Sequence, residues 1–142
     1  MPLKHNIVID TNVLVAGLRS RRGTSFRLLQ LFGDARLVIH LSVPVALEYE
    51  DVLKREFMNS WVSKTEVDSF LDYLFSISKL VEAPFRLRPA LRDPDDDRIL
   101  ELAVRVNATI ITFNIRDFLG SEAYGVRAQR PLDLLRLLGE SE

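Results

Sequence analysis

Asp10 ends a near-continuous apolar run, Ile7-Val8-Ile9, and is followed at once by Thr11, Asn12 and an apolar pattern with helical spacing, Val13, Leu14, Ala16, Gly17 and Leu18. Such a run suits a strand buried on both faces of a parallel sheet. A carboxylate at the point where that strand becomes a helix lies at the carboxyl edge of the sheet, where open α/β sheets bind ligands. Glu48, Asp96 and Asp117 are placed to reach the same edge. The chain has no cysteine and two histidines, so a metal held here would be held by oxygen or imidazole. A group of hard oxygen ligands suits Mg²⁺ or Mn²⁺, which activates water and neutralises charge developing on a phosphoryl group.

Helical phase, at about 100° per residue, sorts these acids from the solvated ones. On the helix that starts near Pro44, the inward face is Val45, Ala46, Tyr49, Val52 and Leu53, and Glu48 borders it while Glu50 and Asp51 point away. The plainer reading of Glu48 is an acid that reaches water at the stripe's edge or pairs with an arginine. On the helix after Pro94, Ile99, Leu102, Ala103 and Val106 face inward. Asp96 falls between the directions of Leu100 and Ala103, and Asp97 is expected to project outward with Glu101. Asp93 reads as the N-cap, and acids in a first turn favour the helix dipole. Capping needs one of them, however, and four carboxylates in five residues repel one another unless a cation relieves them. Thr112 and Asn114 follow a buried strand at the same edge as Asp10. Asn114 alternatively reads as a loop-capping amide, and Asp117 as a cap or a partner of Arg116.

Alternating elements position these groups. Strands are expected at 4–10, 36–41, 80–83 and 108–112, with a short fifth at 126–128. Helices are expected at 11–19, 24–33, from Pro44 to about 57 with Ser42 as N-cap, at 63–79, from the Asp-rich run to Val106, and from Pro131 onward. Residues 84–94 read as a loop, as do 113–125, with a short helical turn in the latter. The pattern predicts an α/β fold with a mainly parallel sheet of about four to five strands, flanked by helices on both faces and joined by right-handed crossovers. At 142 residues the chain is expected to be a single domain, residues 1–142. No secretory signal or membrane-length apolar run is visible, and the expected location is cytoplasmic. The net charge of −1 excludes nucleic-acid binding by bulk electrostatics, so any such binding must use locally gathered cations.

Four blocks now stand in order: Ile7-Val8-Ile9-Asp10-Thr11-Asn12-Val13-Leu14; Leu47-Glu48-Tyr49-Glu50-Asp51-Val52-Leu53; Asp93 to Ala103; and Ile111-Thr112-Phe113-Asn114-Ile115-Arg116-Asp117-Phe118. Together they resemble the ordered motifs of PIN-domain nucleases, and in particular the VapC-type toxin components of toxin–antitoxin systems. The resemblance covers nearly the whole chain. It implies a Rossmann-like sheet and a metal-dependent ribonuclease whose first three acids fall on Asp10, Glu48 and Asp96. The position after the fourth strand, often an acid in the family, is Asn114 here, with Asp117 nearby. That departure bears on whether one ion or two is held, and the Asp-rich run leaves Asp93 and Asp97 as secondary contributors.

The resemblance therefore implies hydrolysis of an RNA phosphodiester, leaving a 3′-hydroxyl and a 5′-phosphate. Asp10, Glu48 and Asp96 would hold Mg²⁺ or Mn²⁺, Asp117 and Asn114 would complete the shell or bind a second ion, and Thr11, Asn12 and Thr112 would hold the ligating carboxylates from behind. Arg19, Arg21 and Arg22, then Arg98 and Arg116, are the candidates for contacts to the RNA backbone, although each alone reads equally as a solvated surface charge. Packing roles are expected for His5 and His40. A cognate antitoxin and a homodimer are implied partners, the apolar surfaces of the second and fourth helices being candidate interfaces. A solitary RNA-processing nuclease and a non-catalytic PIN-like module, supported by Asn114 alone, stay open. A phosphohydrolase using Asp10 as acceptor would carry a second Asp where Asn12 stands, and a receiver domain would carry a further acid pair and a late lysine that are not evident.

Overall fold

The computed structural model describes residues 4–82 and 94–140. Among these, five parallel strands form one sheet in the order β3-β2-β1-β4-β5: β1 (His5–Ile9), β2 (Leu37–Ser42), β3 (Lys79–Val81), β4 (Thr109–Ile111) and β5 (Ala128–Gln129). The helices are α1 (Thr11–Arg19), α2 (Thr24–Gln30), α3 (Val43–Glu56), α4 (Lys64–Ile77), α5 (Pro94–Val106) and α6 (Pro131–Leu137). The α/β fold with a parallel sheet is as the sequence predicts. Central position explains the composition of β1, whose Ile7, Val8 and Ile9 are at most 1% exposed.

From β1 the chain moves in one direction, through α1 and α2 to β2 and through α3 and α4 to β3. It then crosses back through α5 to β4. The reversal makes the carboxyl ends of β1 and β4 the topological switch point of the sheet. Right-handed crossovers are the rule for such connections, and a crossover that runs back then lays its helix on the face opposite to the earlier ones. α1 packs on α2 and α3, α3 on α4, α2 on α6, and α5 on β1, β2 and β4, with a smaller contact to α3.

Local chemistry sets the boundaries. The Ser42 side chain accepts from the Val45 amide at 3.3 Å, and Ser63 from that of Glu66 at 3.1 Å, so α3 and α4 each begin at a capping serine. α4 ends earlier than expected, where Ser78 turns its hydroxyl back to the Leu74 carbonyl at 2.6 Å, and β3 begins directly at Lys79. α5 stops at Asn107, which takes a left-handed φ of 54° while the Ala108 amide returns to the Ala103 carbonyl. The segment after β4 holds two short 3-10 turns, Ile115–Phe118 and Ser121–Tyr124. β5 starts two residues later than predicted, at Ala128. Asp93 as an N-cap and the predicted loop up to residue 93 lie outside the described residues.

The apolar stripes of α2 and α4 go mainly into the core: Leu28, Leu29, Val67, Leu71 and Leu74 are all buried. Arg36 ties the start of β2 to the C-terminal region, donating to both Asp34 oxygens and, at 2.8 Å, to the Leu138 carbonyl. These hydrogen bonds hold the Asp34 carboxyl at about 2, below its ordinary 3.8.

Candidate active site

Asp10 stands at the N-cap of α1 with extended backbone, yet its side chain makes no capping hydrogen bond. It is turned instead toward β4, where the Thr112 hydroxyl donates to Asp10 Oδ2 at 2.7 Å. Both side chains are buried, Asp10 at 8% exposure and Thr112 at 0%. The switch point therefore brings together two residues 102 positions apart in sequence. Thr112 Oγ1 also accepts from the Asn114 amide at 3.0 Å and from Asn12 Nδ2 at 3.5 Å, while Asn12 Oδ1 accepts from the Phe113 amide. The turn after β4 is thus bound to the segment after β1 through the side chains of Asp10, Asn12 and Thr112.

Glu48 arrives from α3. Its Oε2 accepts from the Thr11 hydroxyl at 3.1 Å, so the residue after Asp10 holds it. The next residue, Tyr49, is fully buried and donates its hydroxyl to the Ile9 carbonyl. Burial pushes the Tyr49 phenol well above its ordinary range, and the charges of Asp10 and Glu48 push it further in the same direction. Both carboxylates therefore act on one phenol. Sequence phase puts Tyr49 on the inward face and gives it no role beyond packing. The available signal was chemical: a buried phenol needs an acceptor, and Tyr49 lies directly beside Glu48.

The first turn of α5 departs from expectation. Asp97 does not project outward; it is 9% exposed, while Asp96 and Glu101 are half-buried. α5 packs against the sheet, α3 and the first 3-10 turn, and so buries most of its circumference. Leu102, Ile99, Ala103 and Leu100 are buried over about 160° of the helix, and Asp97 lies about 60° beyond Leu100. The exposed strip carries Arg98 and Arg105.

Asn114 precedes the first 3-10 turn and makes no side-chain cap there. Asp117 lies in that turn and is exposed. Arg116 is exposed on the same turn. Arg19 sits at the far end of α1, about 13 Å of helix from Asp10. Its guanidinium pairs with Glu56 at 2.8 Å and lies over the Phe57 ring. Arg21 and Arg22 are exposed on the following turn. His40 is buried, with Nε2 on the Asn6 side-chain oxygen at 3.0 Å, and burial lowers its pKa.

The donor set fits a hard divalent cation. Among the described residues no three carboxylate or imidazole side chains form a ready-made cage. Mg²⁺, however, keeps several waters and needs only one or two carboxylates. Asp10 and Glu48, each oriented by a threonine hydroxyl, would supply that pair.

Comparison with known proteins agrees with this architecture. No curated protein is significantly similar to the chain. Solved structures similar in fold include VapBC2 from Rickettsia felis bound to a DNA fragment from their promoter, at 18% identity and TM-score 0.61, over 88% of this chain and 98% of that one. VapBC-1 from nontypeable Haemophilus influenzae aligns at 17% identity and TM-score 0.59, over 89% and 98%. DNA-bound VapBC from Salmonella typhimurium aligns at 15% and 0.62, over 91% and 98%. The family model described as PIN domain matches residues 6–116, a span that holds Asp10, Glu48, Asp96 and Asn114 and ends one residue before Asp117. By that match, over a sheet whose switch point gathers Asp10, Thr112 and Glu48, the chain belongs to the PIN domain family.

Proposed function

We propose that this chain is a metal-dependent endoribonuclease and the toxin component of a toxin–antitoxin pair. One observation carries the reading: Asp10 forgoes the cap it is placed to make and is held by Thr112 at the switch point, beside a Glu48 held by Thr11. A buried carboxylate at a helix N-terminus would ordinarily cap it. In this reading Asp10 and Glu48 hold Mg²⁺ or Mn²⁺, with Asp96 and, from its buried position, Asp97 as the α5 contributors. Asn114 and Asp117 approach from the turn after β4. The ion, when bound, supplies an activated water and neutralises charge on the scissile phosphate. Thr11, Asn12 and Thr112 fix the carboxylates so that little reorganisation accompanies the reaction. Arg21, Arg22, Arg98 and Arg116, being exposed, are the proposed contacts to the RNA backbone. Arg19 is assigned instead to holding α1 against α3 through Glu56. The fold neighbours are chains of VapBC assemblies, which supports a cognate antitoxin as partner; a homodimer is part of the same proposal.

A second reading, a non-catalytic PIN-like module, is favoured by the lack of a three-ligand group among the described residues. Incubation with single-stranded RNA and with DNA of the same sequence, in Mn²⁺ and in EDTA, separates the two. The nuclease reading expects RNA cleavage that EDTA abolishes and that Asp10→Asn lowers by at least about 100-fold. RNA that stays intact under all conditions, or cleavage that survives EDTA, would sink it.

A further inference from the structure

We infer that Tyr49 is a positioning residue that sets the separation of the Asp10 and Glu48 carboxylates, and through it the affinity of the site for a divalent cation. The inference rests on the metal reading above. Its basis is a tie between two backbones. Ile9, whose carbonyl accepts from the Tyr49 hydroxyl, immediately precedes Asp10, and Tyr49 immediately follows Glu48. The β1–β2 register ends at Ile7 opposite Ile39, so Ile9 lies past the last residue that β2 pairs. On its other side β1 is held one residue further, where the Asp10 amide donates to the Ile111 carbonyl at 2.8 Å. The end of β1 is therefore gripped by β4 on one flank and by a phenol of α3 on the other.

The ring and the hydroxyl of Tyr49 have separable tasks. The ring fills the core beside Val45 and Leu53, all three at 0% exposure. The hydroxyl makes the hydrogen bond to the end of β1. Removing it leaves the packing of α3 in place but lets the helix shift relative to the strand end. The Thr11–Glu48 bond that joins α3 to the start of α1 runs between side chains that rotate, and so fixes the spacing less firmly than the tie to the backbone. Groups that orient metal ligands from behind typically account for about 10- to 100-fold in metal affinity.

Tyr49→Phe tests this by isothermal titration with Mn²⁺, run well below the melting temperature and paired with thermal unfolding. The expected result is a Kd weakened by about tenfold or more. Leu53→Val, a substitution on the same buried face that does not touch the tie, is expected to lower the melting temperature yet hold Kd within about twofold of wild type, since it removes packing only. Equal Kd values for Tyr49→Phe and wild type would overturn the inference while leaving the metal reading intact. The same holds if Leu53→Val weakens Kd as much as Tyr49→Phe, because affinity would then follow stability. Wild-type protein that binds no Mn²⁺ would overturn both.

Discussion

Thr112 illustrates what one hydroxyl does at this edge. It donates to Asp10 and accepts from the Asn114 amide, so a single oxygen orients a carboxylate and shapes the turn that follows β4. Thr112→Val keeps the shape and removes the donor. With both partners buried, this is expected to destabilise the fold by about 1.5–3 kcal/mol, the range for hydrogen bonds to charged groups. Denaturant unfolding checks it, and Thr112→Ser should recover most of the loss. An unchanged midpoint would mean that the bond contributes nothing net. Individual side chains were legible in the sequence to different depths. Asp10 could be placed because a strand end is a strong signal, but its turning away from the cap is a three-dimensional fact. Asp97 is buried against expectation because phase alone assumes a helix with one wet side, and α5 leaves only a narrow strip around Arg98 and Arg105 exposed.

Among the elements, those with a strong local signal were read best. α1 agrees with its predicted bounds because Asp10 ends the strand and Ser20 breaks the apolar pattern. α3 agrees because Ser42 and Pro44 mark its start. β5 was displaced because two residues beside a buried Val126 carry little periodicity of their own. Gly17 shows how one element constrains another. A Cβ there would stand 2.3 Å from Leu29 Cδ1 and 2.7 Å from Cγ, with the Ser25 carbonyl at 3.3 Å. The missing side chain is thus what lets α2 lie against α1. Gly17→Ala raises helix propensity but overpacks this contact, and a net loss of about 1–3 kcal/mol is expected, read as a lower melting temperature. A neutral or stabilising outcome would show that Leu29 moves aside freely.

At the scale of the molecule, chain reversal between β3 and β4 brings the chemistry together. It places Asp10 and Thr112 at neighbouring strand ends, with α3 delivering Glu48 from the side. The sequence implied this convergence through the strand–helix alternation, while the partners of each acid had to come from the fold. The central claim is that Asp10 and Glu48 work as one centre rather than as two independent acids. RNA cleavage rates in Mn²⁺ for Asp10→Asn, Glu48→Gln and the double variant test it most directly. Residues that act as a unit give losses that do not multiply. The account predicts that the double variant is no slower than the slower single variant. Losses that multiply, or cleavage near the wild-type rate when both acids are replaced, would contradict it.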